Sequence, residues 1–201
     1  MVDAFPLDLP RESEELESVF TNLVDRSQGG QRNAKKGNRH YWRMRLITPK
    51  IKPEIYRRFF GFGVKQEGRY QVFTVNSSIL NKPQGLATGT PLVQGAHSAG
   101  AYSVTIDGLT NSIVGILKQG DLIQFGHRKV YMVTEDVTSS GSGVAIVPIM
   151  PALVASLADN ETVVLNNVQF YMAFAKDPLP LTTDVNKYAS FDIELEEVWN
   201  E

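Results

Sequence analysis

Few side chains in this 201-residue sequence have the types and spacing that catalysis or metal binding requires. The three histidines, His40, His97 and His127, lie in different predicted elements and are not spaced as ligands of one metal ion. Cysteine is absent, which excludes disulfides, thiolate zinc sites and a cysteine nucleophile. Neither a G-x-S-x-G elbow nor an H-E-x-x-H motif occurs. The sequence therefore predicts neither a metal nor a cofactor.

Carboxylates are the remaining candidates for acid–base chemistry. Four of them flank predicted turns in the middle of the chain and could form a pair if the fold brings them together: Asp107, Asp121, Glu135 and Asp136. Acidic residues are also common beside turns because they form local hydrogen bonds, and this simpler interpretation is favoured. No catalytic constellation stands out, so we expect that the protein is not an enzyme.

The elements that would position these side chains centre on residues 101–151. This segment holds four short runs rich in valine, isoleucine and aromatic residues, at 102–106, 122–125, 130–133 and 144–149. Glycine, serine and aspartate occupy the connections between the runs. Short strands at this spacing indicate a small β-barrel, which leaves no free sheet edge when it is closed.

The flanking segments predict a second β domain with one short helix. Residues 40–47 alternate, with Trp42, Met44 and Leu46 on one face and Arg43 and Arg45 on the other, as in a half-buried strand. Near the end of the chain, residues 191–196 alternate apolar and acidic side chains. Because opposite charges on neighbouring strands are favourable, Glu194 and Glu196 could lie beside the two arginines.

The remaining elements are predicted from residue propensities and from the positions of glycine and proline. Residues 53–60 predict an amphipathic helix that starts at Pro53, ends at Gly61 and Gly63, and points Arg57 and Arg58 outward. Glutamates favour a helix over 12–17, but a strand over 18–26 is preferred. Further expectations are a mobile loop over 27–38, strands over 69–75, 162–165 and 168–175, a linker over 76–100 and a helical turn over 151–158.

These elements predict a mainly β fold with two domains. Residues 1–80 and 167–201 would form a discontinuous β-sandwich or split-barrel domain, and residues 81–166 would form a small barrel of the OB type, inserted in it.

The net charge of −2 conceals a strong asymmetry. Residues 26–71 hold thirteen basic side chains against two acids, whereas residues 1–25 and 184–201 are acidic. A basic block can contact nucleic acid, or it can match acids on another copy or on the chain's own ends. The second interpretation is favoured because acids that could match the block are present in the same chain.

Single-stranded nucleic-acid binding by the barrel is the main alternative. OB-folds hold single strands with exposed aromatic side chains beside cations, and Tyr131, Lys129 and Arg128 are the candidates for such a surface. However, residues 72–183 contain five basic and seven acidic side chains, which is a poor surface for phosphates.

The order of elements resembles the distal tail protein of long-tailed siphophages, in its short form with an OB-like insertion. The most specific part is the run Gly120-Asp121 with the apolar residues that follow, then Lys129-Val130-Tyr131, then a turn rich in serine and glycine. The resemblance implies a ring, usually of six copies, that joins the tail tube to the tail-tip proteins, with the inserted barrel projecting outward.

The leading hypothesis is therefore a structural protein of the virion tail tip, made in the host cytoplasm and without a membrane partner. The resemblance implies three partners: further copies of the chain, the tail tube protein and the tail-tip or baseplate hub protein. DNA would pass through the ring without sequence-specific binding. Candidate subunit contacts are Arg43, Arg45, Arg57, Arg58, Glu194 and Glu196. A saccharide-binding role for the barrel is disfavoured because no aromatic platform is apparent.

Overall fold

A computed structural model describes residues 2–37, 39–177 and 179–199 of the chain. The described residues form mainly β structure with a single α-helix, which confirms the predicted fold class. The chain divides into two compact units. The first comprises Met1–Phe73 and Met172–Val198, and the second comprises Thr74–Tyr171 and Trp199–Glu201. The predicted domain limits at 80/81 and 166/167 stay a prediction.

The largest sheet has six strands in the order β1-β6-β12-β13-β5-β2. Their bounds are Asp3–Ala4 for β1, Ser13–Phe20 for β2, His40–Ile47 for β5, Phe73–Asn76 for β6, Gln169–Phe174 for β12 and Asp192–Glu197 for β13. Strand β5 pairs antiparallel with β2 on one side and with β13 on the other. As predicted, Trp42, Met44 and Leu46 of β5 are buried and the intervening side chains are more exposed.

Helix α1, Pro53–Lys65, begins at the predicted proline but continues five residues beyond the predicted end. The expectation that Gly61 and Gly63 terminate it was wrong. A Cβ at Gly63 would lie 2.3 Å from Leu179 Cδ2, so this glycine lets the Leu179 side chain pack closely against the helix. Phe59 is buried against Phe5 and Phe191, with ring centroids 5.7 and 4.8 Å away.

The N-terminal strand and the hairpin after it differ from the expectation. Strand β2 includes residues 14–17, which have helical propensity, because each of its residues has a partner on β5. Beyond β2, strand β3, Leu23–Arg26, pairs with strand β4, Arg32–Lys35, and β4 lies in the segment 27–38 that was expected to be a loop. The predicted strand over 18–26 is thus divided between β2 and β3.

The second unit contains a five-stranded sheet in the order β7-β8-β11-β10-β9. The bounds are Leu92–Val93 for β7, Ser103–Asp107 for β8, Leu122–Gln124 for β9, Val130–Val133 for β10 and Ala145–Met150 for β11. One segment serves both edges of this sheet: Thr162 bridges Leu92 of β7, and Val164 bridges Gln124 of β9. These bonds close the sheet around an apolar core that includes Ile106, Ile123, Tyr131, Val147 and Ile149.

The structure of three further segments of the second unit differs from the prediction. Residues 162–165 form isolated bridges instead of a strand, and residues 151–158 contain no helical turn. The expected linker over 76–100 contributes β7 and buried side chains, so it belongs to the fold of the second unit. Glycine and proline mark its turns but do not show whether its other residues are packed.

A buried carboxylate holds this segment in place. Asp121 is 3% exposed and accepts backbone hydrogen bonds from Gln84 at 2.7 Å, Gly85 at 3.2 Å and Lys118 at 2.8 Å. Since a buried amide without an acceptor is costly, this one side chain fixes the connection beside the start of β9.

We expect Asp121→Ala to lower the free energy of unfolding by about 2–4 kcal/mol, because three backbone amides lose their acceptor. Urea unfolding followed by circular dichroism measures the loss. The matched control is Glu135→Ala, an exposed acid near a turn of the same unit, which should change stability by less than about 0.5 kcal/mol. Equal stability of the two variants would contradict the anchoring role.

Candidate interaction surfaces

A row of alternating charges crosses the solvent-facing side of strands β2, β5 and β13. Arg43 lies between Glu17 on β2 and Glu196 on β13, and Arg45 lies between Glu15 and Glu194 in the same register. This register confirms the prediction that the acidic strand at the end of the chain lies beside the basic strand β5. Each arginine of the central strand has carboxylates on both sides.

These arginines form ion pairs within the chain. Arg43 contacts Glu17 at 3.4 Å and Glu196 at 3.3 Å, and both distances are long for charge-assisted hydrogen bonds. Arg45 binds Asp192 with two parallel bonds, Nε to Oδ1 at 2.8 Å and a terminal nitrogen to Oδ2 at 2.7 Å. The hydrogen bonds to Glu196 and Asp192 raise the pKa of Arg43 and Arg45, respectively.

Five carboxylates share this face of the sheet with two guanidinium groups and Lys176, which pairs with Glu194. Carboxylates therefore outnumber cations among these side chains, although the central strand is basic. Asp192, which the sequence analysis did not single out, is the main partner of Arg45. Its position in the acidic alternation, two residues before Glu194, was the signal that could have identified it.

The other candidate contact residues lie on helix α1. Arg58 is exposed and pairs with Asp8 at 2.7 Å within the chain. Arg57 is exposed and forms no ion pair with the described residues. The helix thus presents one arginine whose charge is compensated and one whose charge is not. The assignment of these residues to subunit contacts stays a prediction.

Two of the three candidate residues on the barrel surface are in fact inside. Tyr131 and Lys129 are fully buried, and only Arg128 is partly exposed. Tyr131 packs in the core, and the Lys129 ammonium lies 5.8 Å from the centroid of the Trp199 ring. The uniformly apolar composition of β10 did not reveal that these two side chains are buried. The predicted stacking surface for nucleic-acid bases therefore does not exist at these positions.

A hydrogen-bonded network occupies this part of the core. The Tyr131 hydroxyl lies 2.6 Å from His127 Nε2, and its oxygen accepts the backbone N–H of Val154 at 3.0 Å. Burial lowers the pKa of His127, and nearby Lys129 lowers it further, while Glu161 opposes the shift. His127 is therefore a partly buried histidine with a structural hydrogen bond, and its neutral form is favoured by the fold.

The remaining polar candidates also have structural partners. His97 Nε2 accepts the Thr105 backbone N–H at 3.1 Å, and the Asp136 carboxylate accepts the Gln119 N–H at 2.9 Å. Over residues 2–37, 39–177 and 179–199, no group of three histidine or acidic side chains could hold a metal ion. In the same ranges, no helix has the length and apolar composition to span a bilayer.

Residues 80–168 match the family model of the distal tail protein pb9, B domain. The matched residues lie within the second unit and include all five strands of its closed sheet. A search of the curated proteins finds no match to the chain.

The match covers less than half of the chain and shows that residues 80–168 are similar to a domain of a bacteriophage distal tail protein. It confirms the resemblance found in the sequence. A distal tail domain supports a structural, non-enzymatic role in a phage tail, and the family implies assembly with other tail proteins.

The pairing of Asp192 with Arg45 predicts acid-sensitive stability. The hydrogen bond to Arg45 lowers the pKa of Asp192 below 3.8, so the pair stabilises the fold above the unfolded pKa. This stabilisation is lost as the pH falls through the folded pKa. Asp192→Asn should have a lower thermal unfolding midpoint than the wild type at pH 5, and this difference should become smaller as the pH is lowered to 2. It should also become smaller in 1 M salt, which screens the ion pair. Glu12→Gln is the control, and a pH-independent difference would contradict the ion pair.

The lowered pKa of His127 predicts a second pH dependence of the folding stability, at higher pH than that of Asp192. Because its pKa is lowered on folding, the unfolded chain binds the proton more readily, and stability decreases as the pH falls below about 6.5. His127→Gln should remove this component of the pH dependence between pH 7 and pH 5, measured by urea unfolding at each pH. His97→Gln is the comparison. An unchanged slope in His127→Gln would mean that the histidine is not held neutral.

Proposed function

We propose that the chain is a ring component of the phage tail tip. Copies of the chain, six by the resemblance, form a ring that joins the tail tube protein to the tail-tip or baseplate hub protein and surrounds the DNA channel. The discontinuous domain of residues 1–80 and 167–201 builds the ring, and the barrel of residues 81–166 projects from it. DNA passes through without sequence-specific contacts.

The match of residues 80–168 to a distal tail domain carries this proposal. The charge row on the large sheet supports it, because it resolves an apparent conflict in the sequence. A channel for DNA should avoid positive surface, yet residues 26–71 are strongly basic. Arg43 and Arg45 are compensated by acids of neighbouring strands, so these two arginines leave no unpaired positive charge on the face that they share.

The same observations weaken nucleic-acid binding as the primary function. Tyr131 and Lys129, the predicted stacking and phosphate contacts, are both buried, and Tyr131 packs in the barrel core.

We expect antibodies against the recombinant chain, coupled to gold, to label the junction between tail tube and tip in electron micrographs of phage particles from the source culture. Pre-immune antibodies serve as the control on the same grids. Labelling of the capsid, or tailed particles with accessible tips and no label at the junction, would contradict the ring position.

A further inference from the structure

The β3–β4 hairpin is an arm that leaves the body of its unit. Strands β2 and β5 pair from Ser13–Ile47 to Phe20–His40, and the chain then continues into the paired strands β3 and β4. All residues from 21 to 36 are exposed, so neither face of the arm packs on the described chain. Two-stranded hairpins are marginal alone in water. An arm of this kind therefore gains stability from a partner.

The junction between the sheet and the arm is built to hold a fixed direction. Thr21 bonds to the Arg39 carbonyl oxygen through both its amide and its hydroxyl, each at 3.1 Å. The Gly37 amide donates to Asn22 Oδ1 at 2.9 Å. A Cβ at Gly37 would lie 1.8 Å from the Thr21 carbonyl oxygen, so the junction requires glycine.

One face of the arm carries an unfavourable charge pair. Arg26 and Arg32 are directly opposite each other on β3 and β4, where like charges are destabilising. Ser27 donates to the Gln31 carbonyl oxygen, so the Arg26–Arg32 pair, one step along, is of the non-hydrogen-bonded kind, in which side chains lie closer. Neither arginine forms an ion pair with the described residues. Two facing guanidinium groups of this kind are suited to bind a carboxylate.

The same face is apolar beside the arginines. Val24 and Ala34 are paired two residues further along, on the same face, and Val24 is 54% exposed. A phosphate backbone would bind the arginines but would leave this apolar surface in water. A protein strand with an acidic side chain next to aliphatic ones would cover both, so the chemistry favours a protein partner over a nucleic acid.

The chain itself carries a complementary surface. Strand β2 is at the edge of the six-stranded sheet, with β5 as its neighbour on one side. Glu15 on this strand and Glu12 just before it are exposed, and their carboxylates form no ion pair with the described residues. An exposed strand edge with two acidic side chains that form no ion pair with the described residues matches the arm in both charge and backbone hydrogen-bonding capacity.

We infer that the arm docks on the β2 edge of a second copy of this chain, with Arg26 and Arg32 binding Glu12 or Glu15. The arm cannot make this contact within its own chain: Val24 is nine residues beyond Glu15 along the arm, roughly 30 Å at the rise of a strand. The contact is heterologous, because the arm and the edge are different surfaces, and such contacts generate rings when they close. The inference rests on the proposed ring and specifies its contact.

Photo-cross-linking tests this contact on the full chain. A chain with p-benzoylphenylalanine in place of Val24 is mixed at about 1 mM, sufficient for weak contacts, with unmodified chain labelled with ¹⁵N, and is then irradiated. Mass spectrometry should place the cross-links on residues 12–20 of the labelled copy. The same photoreactive residue in place of Val185, which is 97% exposed, gives the background level.

Charge reversal then tests the arginines. Arg26→Glu with Arg32→Glu should reduce the cross-link yield about tenfold, since like charges would then face each other. Adding Glu12→Arg and Glu15→Arg to the same chain should restore the yield. The control pair Lys82→Glu and Lys118→Glu gives the same change in net charge on the second unit and should have no effect. Circular dichroism checks that every variant is folded.

Three results would overturn the inference. The first is a cross-link yield from position 24 no higher than the background at position 185, and the second is cross-links that map outside residues 12–20. The third is that the variant with all four charges reversed does not regain the cross-link yield. DNA binding that is lost in Arg26→Gln with Arg32→Gln, without cross-links between copies, would assign the arm to nucleic acid instead. The outcome is separate from the gold-labelling result, because cross-linking reports contact between copies and labelling reports position in the particle.

Discussion

The antiparallel pairing of strand β5 with two acidic strands is the interaction on which the first unit depends. On one face, β5 contributes Trp42, Met44 and Leu46 to the core. On the other face, it holds Arg43 and Arg45 between the acids of β2 and β13. Since side chains alternate along a strand, a slip of one residue would bury the arginines and expose the core side chains. The hydrophobic and the electrostatic patterns therefore specify the same register.

This agreement between patterns explains which parts of the fold could be predicted from sequence. Strand β5 shows apolar and basic alternation together, and its predicted limits match those observed. Strand β10 is a compact apolar run between turn residues, and its predicted limits also match. In contrast, β2 has glutamates that favour a helix in isolation. Its state is decided by β5, a partner twenty or more residues away, and local propensity contains no information about such a partner.

The burial of polar side chains was the main feature that sequence reasoning could not supply. Asp121 and Lys129 both lie beside turns, where charged residues are normally solvated, yet both are buried. Asp121 is buried because two backbone amides from a distant connection, those of Gln84 and Gly85, converge on its carboxylate together with the nearby Lys118 amide. Such convergence is a property of the closed sheet as a whole. The turn pattern predicted where Asp121 lies in the chain but not what surrounds it.

The charge asymmetry of the sequence has more than one origin in the structure. Part of the basic block is compensated within the large sheet, where Glu17, Glu196 and Asp192 bind the arginines of β5. Another part, including Arg26 and Arg32, lies on the arm, where neither arginine forms an ion pair with the described residues. Compensation within a chain stabilises its register, whereas uncompensated charge on a projecting element is available to a partner. A basic block in a sequence can thus serve folding at one end and assembly at the other, and only strand pairing separates the two uses.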